Sequence, residues 1–283
     1  MHYENYDASN FTSVPAPSHS SPPMAPAFIV LLALLAYVTY KDYEDFLSLG
    51  PGGTPSTFPG YLKITFLRLF TLRNTYTPAP VPSELRNTGF LRTGQIPTRL
   101  SNRPNVAGIA PHRQTNQRPS KEIFTYFSTC IMKLAKDYPS RFRMDVSAFE
   151  KHCPGLFSLK TANPACNGEI CHAHPIDGSM HMTLHPEDIK MVLEAGWGER
   201  HPLAKGGWCR RFVPQEFVMV YAPRSKEEVD TVMEIIKAGV GWISGEKFEE
   251  HQDKDSRDFA AAGDQMPLLR ENCMHHRRGA VAS

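Results

Sequence analysis

The sequence has 283 residues, a length that allows one or two domains. Apolar residues make up 41% and charged residues 21%, so a packed core can form and a wholly disordered chain is excluded. The net charge is only +2, and no basic face or basic helix stands out, which argues against a nucleic-acid partner.

The N-terminal part predicts a membrane anchor. Residues 1–24 are rich in Ser, Pro and Asn and are expected to be disordered, whereas residues 25–40 form an uncharged apolar run. A spanning helix usually needs about 20 apolar residues, so this run is slightly short, and a signal peptide or a buried helix are the alternatives. We favour a single membrane-spanning helix. Because Lys41, Lys63 and Arg68 follow the run and no Lys or Arg precedes it, the positive-inside rule predicts a cytosolic C-terminal domain.

Residues 41–119 predict a membrane-proximal, Pro-rich connection. Within it, residues 61–72 are strongly apolar but are interrupted by Lys63 and Arg68, so this segment is too charged to span a bilayer. Two interpretations stay open for it, an amphipathic helix in the membrane interface that contacts lipid or a core helix of the domain. Residues 74–119 show no clear period.

Residues 120–249 carry regular helix and strand signals and predict a small α+β domain, with an antiparallel or mixed sheet and helices packed on one face. Apolar residues at helical spacing predict a helix over residues 121–136. Alternation over residues 169–175 and 179–184, with turn residues between them, predicts a β-hairpin. Two further helices and one strand are expected between Pro186 and Ile243, and a disordered tail over residues 250–283.

Histidines are concentrated in and after the predicted hairpin. His172 and His174 are two residues apart on one strand, so they share a face, and His181 lies within reach on the partner strand. His201 follows in a glycine-containing segment. Grouped imidazoles bind metals, act as general acids or bases, or have structural roles. We expect this group to be functional.

Several polar and aromatic residues near these histidines are candidate site residues. Asp177 and Glu199 are suited to orient an imidazole. Arg200 is suited to stabilise an enolate or carboxylate, unless it pairs with a neighbouring glutamate. Trp197 and Trp208 are candidates for the walls of an aromatic pocket, or for ordinary core and rim positions. We take Trp197, Asp177, Glu199 and Trp208 as candidate substrate-binding residues.

Other acidic and sulfur-containing side chains give weaker signals. Glu169 lies three residues before His172, where an ideal strand would place it on the opposite face. The six cysteines show no paired spacing and indicate reduced cytosolic thiols. Cys166 and Cys171 make a zinc site beside His172 conceivable, but no second pair completes it.

Several of these motifs resemble the fungal luciferase domain family. The resemblance is carried by the string Gly196-Trp-Gly-Glu-Arg-His-Pro-Leu-Ala204, by His172-Ala-His174 with Asp177, Ser179 and His181, by Val220-Tyr-Ala-Pro-Arg224, and by the stretch Asp42–Tyr61. It covers roughly residues 40–70 and 120–245. Residues 175–179 look like the general version of the domain, and the Pro-rich segment and the tail depart from the family's compact pattern.

The resemblance implies a membrane-associated oxygenase, related to bioluminescence, that needs no cofactor besides O2 as co-substrate and no metal. Luminous members of the family oxidise 3-hydroxyhispidin, a phenolic pyrone, through a strained peroxide that loses CO2. In this chain His172, His174, His181 and His201 would supply the base, with Arg200 as anion stabiliser. Two alternatives stay open, a metal-dependent oxygenase or hydrolase on the same histidines and a non-catalytic binding protein for another small molecule.

Overall fold

The structure, a computed structural model, describes residues 24–248. The chain divides into two units, residues 1–42 and 43–283. The tail expected to be disordered lies outside the described residues, as does the N-terminal arm apart from Met24, which begins the first helix.

The helices and strands follow in a mixed order along the chain. The helices are α1 (Met24–Ser48), α2 (Phe58–Leu67), α3 (Lys121–Asp137), α4 (Pro186–Glu194) and α5 (Lys226–Ser244). The strands are β1 (Val106–Gly108), β2 (His112–Gln114), β3 (Phe142–Val146), β4 (Pro154–Ser158), β5 (Glu169–Ala173), β6 (Met180–Thr183), β7 (Gly198–Arg200) and β8 (Phe217–Val220).

Helix α1 contains the uncharged apolar run. From Pro26 to Ser48 it is long and apolar enough to cross a membrane, and it is the one helix in the described part of the chain that combines this length and composition. Its apolar side chains, such as Phe28 and Leu35, are exposed. The helix continues beyond residue 40 and so reaches a spanning length that the predicted run alone did not.

Strands β3 to β8 form one antiparallel sheet in the order β3-β4-β5-β6-β8-β7. The predicted hairpin is confirmed, since β5 pairs with β6 and places His172 directly opposite His181. The α+β class predicted from the sequence is therefore correct. Since every pairing in this sheet is antiparallel, the mixed alternative does not apply.

One face of the sheet is covered by α3 and α5. Their apolar stripes, with Phe127 and Ile236, pack on strand residues such as Leu156, Met182 and Val218 to form the larger core cluster. Helix α5 is well terminated, because the Ser225 hydroxyl accepts from the Glu228 amide at its start and Gly245 adopts a left-handed conformation at its end.

The other face is covered by α2 and by the small β1–β2 sheet, both from the segment that the sequence assigned to a connection. Tyr61, Ile64 and Leu67 of α2 are buried in a second core cluster that includes Phe217 of β8. This packing supports the core-helix interpretation of residues 61–72. The opposite side of α2 is also apolar yet exposed, with Phe58, Leu62 and Phe66 followed by Leu69.

Candidate active site

The four histidines predicted from the sequence meet on the sheet face that α2 covers. Ring centroids of His172 and His174 lie 5.3 Å apart, and those of His174 and His181 4.7 Å apart. His201, which follows β7, has its ring 5.4 Å from that of His181. All four are buried. The two-residue periodicity of the hairpin therefore predicted the placing of His172, His174 and His181, whereas His201 comes from the segment after β7.

A fifth histidine, His112, joins this group from β2. Its Nδ1 lies 3.1 Å from Nε2 of His181, so one ring donates to the other, and the two rings are stacked. Its Nε2 lies 3.6 Å from a carboxylate oxygen of Glu199. His112 was not predicted from the sequence, because it lies 69 residues from His181 in a segment without regular periodicity.

A buried ion pair, also missed from the sequence, lies beside the histidines. Arg113 donates from Nη1 and Nη2 to the two carboxylate oxygens of Glu150, at 2.9 and 2.7 Å. Burial raises the pKa of Glu150, but the charge and hydrogen bonds of Arg113, together with the neighbouring imidazoles, outweigh burial and lower that pKa to about 2. Glu150 Oε1 is 3.7 Å from Nε2 of His174, so an ionised carboxylate borders the imidazoles.

Glu169 holds His172 in place. A carboxylate oxygen of Glu169 lies 2.6 Å from Nδ1 of His172 and also accepts from the Ser147 hydroxyl at 2.7 Å. An ideal strand would separate these two side chains. The β4–β5 register shifts between Leu156 and Phe157, and Phe157 is the partner of Glu169, so the strand is irregular at this end. The prediction that Glu169 lies on the opposite face was wrong for this reason.

His174 is held by a chain of two hydrogen bonds. Its Nδ1 is 2.9 Å from the Ser179 hydroxyl oxygen, and that hydroxyl donates to Asp177 at 2.7 Å. The same Asp177 oxygen accepts from the amide of Gln114 at 2.6 Å. Burial and then the charge of Arg113 lower the pKa of His174 to about 4. This imidazole is therefore neutral at pH 7.

His201 is bound at both ring nitrogens by the backbone. Its Nδ1 accepts from the amide of Leu203 at 3.1 Å, which places its proton on Nε2, 2.9 Å from the carbonyl oxygen of Ile109. Burial lowers the pKa of His201 well below its usual range. The same cause lowers the pKa of His181. Among the described residues, no backbone group forms a hydrogen bond with the imidazole of His181, in contrast to His201.

Of the two predicted charged residues in β7, Glu199 lies at the histidine cluster and Arg200 does not. Glu199 lies at the cluster, where it accepts from the Tyr221 hydroxyl at 2.9 Å in addition to its contact with His112. Arg200 is the partner of Val218 in the β7–β8 pairing, so its side chain leaves the sheet on the opposite side from that of Glu199. It donates to the carbonyl oxygens of Thr77 and Ala204. The structure thus does not bring Arg200 to the histidines, whereas the guanidinium of Arg113, bound to Glu150, lies beside them.

The two tryptophans lie away from the histidine rings. Trp197 is buried in the larger core cluster and its indole donates to the carbonyl oxygen of Pro97 at 2.6 Å. Trp208 is partly exposed and packs on Phe70 and Phe212. Their substrate-binding role stays a prediction. Trp208 contacts Phe212, and Phe212 lines the cavity at the histidine cluster.

A cavity of about 240 Å³ opens onto the histidine cluster. His112, His181, His201 and Glu150 line it, together with the aromatic rings of Phe149, Phe212 and Phe217 and the exposed cationic residues Lys63, Lys151 and Arg211. A second cavity, of about 500 Å³, reaches His112 and Glu199. The first cavity combines aromatic walls with cationic groups and neutral bases, which suits a planar molecule with an acidic hydroxyl.

Among residues 24–248, two sets of side chains have ligand atoms close enough to hold a metal ion. They are Glu150 with His172, His174 and His181, and His112 with His181 and His201; within each set these atoms lie within 4.8 Å of one another. Cys171 lies in the helix-side core and Cys166 packs against the other cluster, so neither thiol belongs to these sets.

Comparison with known proteins matches the luciferase domain to residues 167–239. The chain is 29% identical to a luciferase of Neonothopanus nambi over 218 residues, which cover 71% of this chain and 79% of that protein. It is 30% identical to luciferases of Armillaria ostoyae and Armillaria mellea over 217 residues, covering 71% of this chain and 80% of theirs. No solved structure matches it.

Proposed function

This chain belongs to the fungal luciferase domain family, and we propose that it is an oxygenase that joins O2 to a phenolic pyrone of the 3-hydroxyhispidin type. The observation that carries the proposal is the group of buried imidazoles on an aromatic-walled cavity of about 240 Å³. A phenolic pyrone fits this site chemically, since it offers a planar ring for the aromatic walls and an acidic hydroxyl for a neutral base.

The first step of the proposed reaction is deprotonation of the pyrone hydroxyl by the His112–His181 pair. Burial keeps His181 unprotonated, and its 3.1 Å contact with His112 lets a proton pass between the two rings. Glu199, 3.6 Å from His112, would stabilise the resulting imidazolium. His172, His174 and His201 remain proposed site residues, which surround this pair.

The second step is oxidation of the pyrone anion by O2. The anion gives up two electrons in forming a carbon–oxygen bond to O2, and the peroxide so formed releases CO2 when it breaks down. Cationic groups stabilise the peroxide charge. Arg113 replaces Arg200 in that proposed role, because it is the guanidinium that lies beside the imidazoles.

The test is turnover of authentic substrate by the intact protein. Detergent-solubilised protein would be incubated with 3-hydroxyhispidin in air, with O2 uptake, substrate loss and light recorded together. O2 uptake matched by substrate loss supports the oxygenase, with or without light. Substrate that binds but is not consumed would support the alternative, a family member that only binds a small molecule.

We also propose that α1 anchors the protein as a single-pass membrane protein with its C-terminal domain in the cytosol. The length and composition of α1 support the span, and the placing of Lys and Arg after it supports the orientation. Protease treatment of sealed membranes tests the orientation. Digestion of the C-terminal domain from the cytosolic side supports it, and full protection contradicts it.

A second lipid contact is proposed on α2. The exposed side chains Phe58, Leu62, Phe66 and Leu69 form an apolar strip, and Trp208 is also exposed. Exposed lysine and arginine side chains lie along the same segment, at Lys63 and Arg68. An apolar face flanked by basic residues is typical of a helix that lies in the interface of an anionic membrane. Lys63 also lines the cavity, so lipid contact here would adjoin the substrate's entry.

A further inference from the structure

Two buried imidazole nitrogens in the candidate active site have no hydrogen-bond partner within the described part of the chain. They are Nε2 of His172 and Nε2 of His174, on residues that are 1% and 0% exposed. A polar atom buried in this way is costly unless a partner satisfies it. The proton positions on both rings decide what kind of partner fits.

The hydrogen bond to Glu169 selects the tautomer of His172 that has its proton on Nδ1. Glu169 accepts there at 2.6 Å, and an ionised carboxylate can only accept. Nε2 of His172 therefore carries a lone pair and cannot donate. A carboxylate that holds the far nitrogen of an imidazole in this way is the usual support of a metal-binding histidine.

His174 also has its proton on Nδ1, because of the hydrogen bond between Ser179 and Asp177. Ser179 has a single hydroxyl proton, and it donates this proton to Asp177 at 2.7 Å. The Ser179 oxygen must then accept from Nδ1 of His174, 2.9 Å away. Nε2 of His174 thus also carries a lone pair. Both orphaned nitrogens therefore need a partner that accepts an electron pair, which is a hydrogen-bond donor or a metal ion.

The third group of this cluster is the Glu150 carboxylate. Its Oε1 lies 3.7 Å from Nε2 of His174, and ligand atoms of Glu150, His172 and His174 all fall within 4.8 Å of one another. Arg113 binds both carboxylate oxygens and fixes their plane. We call Glu150, His172 and His174 the His–Glu triad.

The charge around the triad favours a cation. Glu150, Glu169 and Asp177 are buried carboxylates, and the guanidinium of Arg113 forms an ion pair with Glu150. The three carboxyl groups outnumber this guanidinium by two. Buried charge of one sign is stable only when it is compensated, and a divalent ion would supply the missing charge.

We propose that the His–Glu triad binds one divalent first-row transition metal ion of the kind found in non-haem iron enzymes. Two histidines and one carboxylate are the ligand set that such sites use, and they leave positions open for water, O2 or a substrate oxygen. The His112–His181–His201 set is the weaker candidate, because the backbone already binds both nitrogens of His201. The resemblance implies no metal, so this site deepens the proposed function in a direction that the family did not indicate.

The test measures metal binding without substrate. The full-length protein, purified in detergent without a polyhistidine tag, would be analysed for bound metals, stripped with EDTA and titrated with Co²⁺ while its visible absorption is recorded. The wild type is expected to bind one Co²⁺ per chain. Glu169→Gln, which removes the supporting charge on His172, should weaken Co²⁺ binding roughly 10-fold to 100-fold.

Matched variants separate loss of ligands from loss of fold. The double variant His172→Ala/His174→Ala should lose Co²⁺ binding, whereas replacing the exposed His152 by alanine should leave it unchanged. Circular dichroism checks that each variant is folded, and the wild-type titration does not depend on any variant. Absence of metal and of Co²⁺ uptake in the wild type, or wild-type binding by the folded double variant, overturns the proposal.

The outcome is distinguishable from that of the proposed function. Stoichiometric Co²⁺ binding in a protein that consumes neither pyrone nor O2 leaves the metal site standing and removes the proposed reaction. Turnover by metal-free wild-type protein that takes up no Co²⁺ leaves the reaction standing and removes the metal site.

Discussion

Arg113 and Glu150 form a buried bidentate ion pair, in which Nη1 and Nη2 of Arg113 donate to different carboxylate oxygens of Glu150. Arg113 lies on β2 and Glu150 in the turn between β3 and β4, so this pair ties a segment without sequence periodicity to the central sheet. Since Glu150 also borders His174, the pair links folding of that segment to the integrity of the active site.

Replacing Arg113 by methionine should destabilise the protein strongly. The substitution leaves Glu150 buried without its counter-charge, and breaking a buried pair in this way costs about 3–5 kcal/mol. Thermal unfolding in detergent measures the loss. The double variant Arg113→Met/Glu150→Gln should recover part of it, because it removes both charges. A single variant as stable as the wild type would show that the pair does not compensate Glu150.

Replacing Ser179 by alanine should loosen His174 without removing a ligand or base. The change deprives both His174 Nδ1 and Asp177 of a buried hydrogen bond, at a cost of about 1–3 kcal/mol. We expect a lower melting temperature together with weaker Co²⁺ binding by the stripped protein. The exposed Ser83→Ala serves as control. If Ser179→Ala lowers the melting temperature but leaves Co²⁺ affinity unchanged, Ser179 does not position His174 for a metal.

Stability of the metal-free protein should fall as the pH is lowered from 7 to 5. In the folded state the pKa of His174 is about 4, and burial holds the pKa values of His181 and His201 well below the usual range. The unfolded chain therefore binds more protons below about pH 6.5, and each histidine contributes up to about 1.4 kcal/mol per pH unit. The stabilisation is fully present above pH 6.5 and is lost as the pH falls towards the folded pKa values.

Melting temperatures of EDTA-treated protein across this pH range provide the measurement. Replacing His201 by glutamine should reduce the slope of melting temperature against pH by the contribution of one histidine. A melting temperature that stays constant between pH 7 and pH 5 would mean that these imidazoles are not buried in their neutral form.

The exposed apolar side of α2 should become protected when the protein is placed in a lipid bilayer. Amide hydrogen exchange over residues 58–70 would be compared between detergent-solubilised protein and protein in vesicles containing anionic lipid. Protection is expected to increase there and to weaken in Leu62→Glu/Phe66→Glu, which places charge on the lipid-facing strip. Equal exchange in vesicles of anionic and of neutral lipid would argue against a role for Lys63 and Arg68.

Sequence periodicity predicted the part of the site that lies on regular strands. The alternation around His172, His174 and His181 is local, so two residues per repeat place them on one face without further information. The class of fold followed from the same signals. The hairpin turn residues fixed the register, which aligned His172 with His181.

The rest of the site depends on contacts between distant segments. His112 and Arg113 belong to a strand of three residues, too short to show alternation, and Glu150 lies in a turn. Arg200 was placed at the site by its closeness in sequence to Glu199 and His201. In β7 neighbouring residues face opposite sides of the sheet, so Glu199 reaches the cluster while Arg200 does not.

The most direct test of the proposed active site is O2 uptake by His181→Gln. His181 contacts His112 and lines the cavity, so it is the base on which the proposed reaction depends. With 3-hydroxyhispidin as substrate, we predict that kcat for O2 uptake falls roughly 10²-fold or more in this variant. The His152→Ala control should keep wild-type kcat, and both variants should remain folded. Wild-type O2 uptake by folded His181→Gln would contradict the assignment of the histidine cluster as the oxygenase active site.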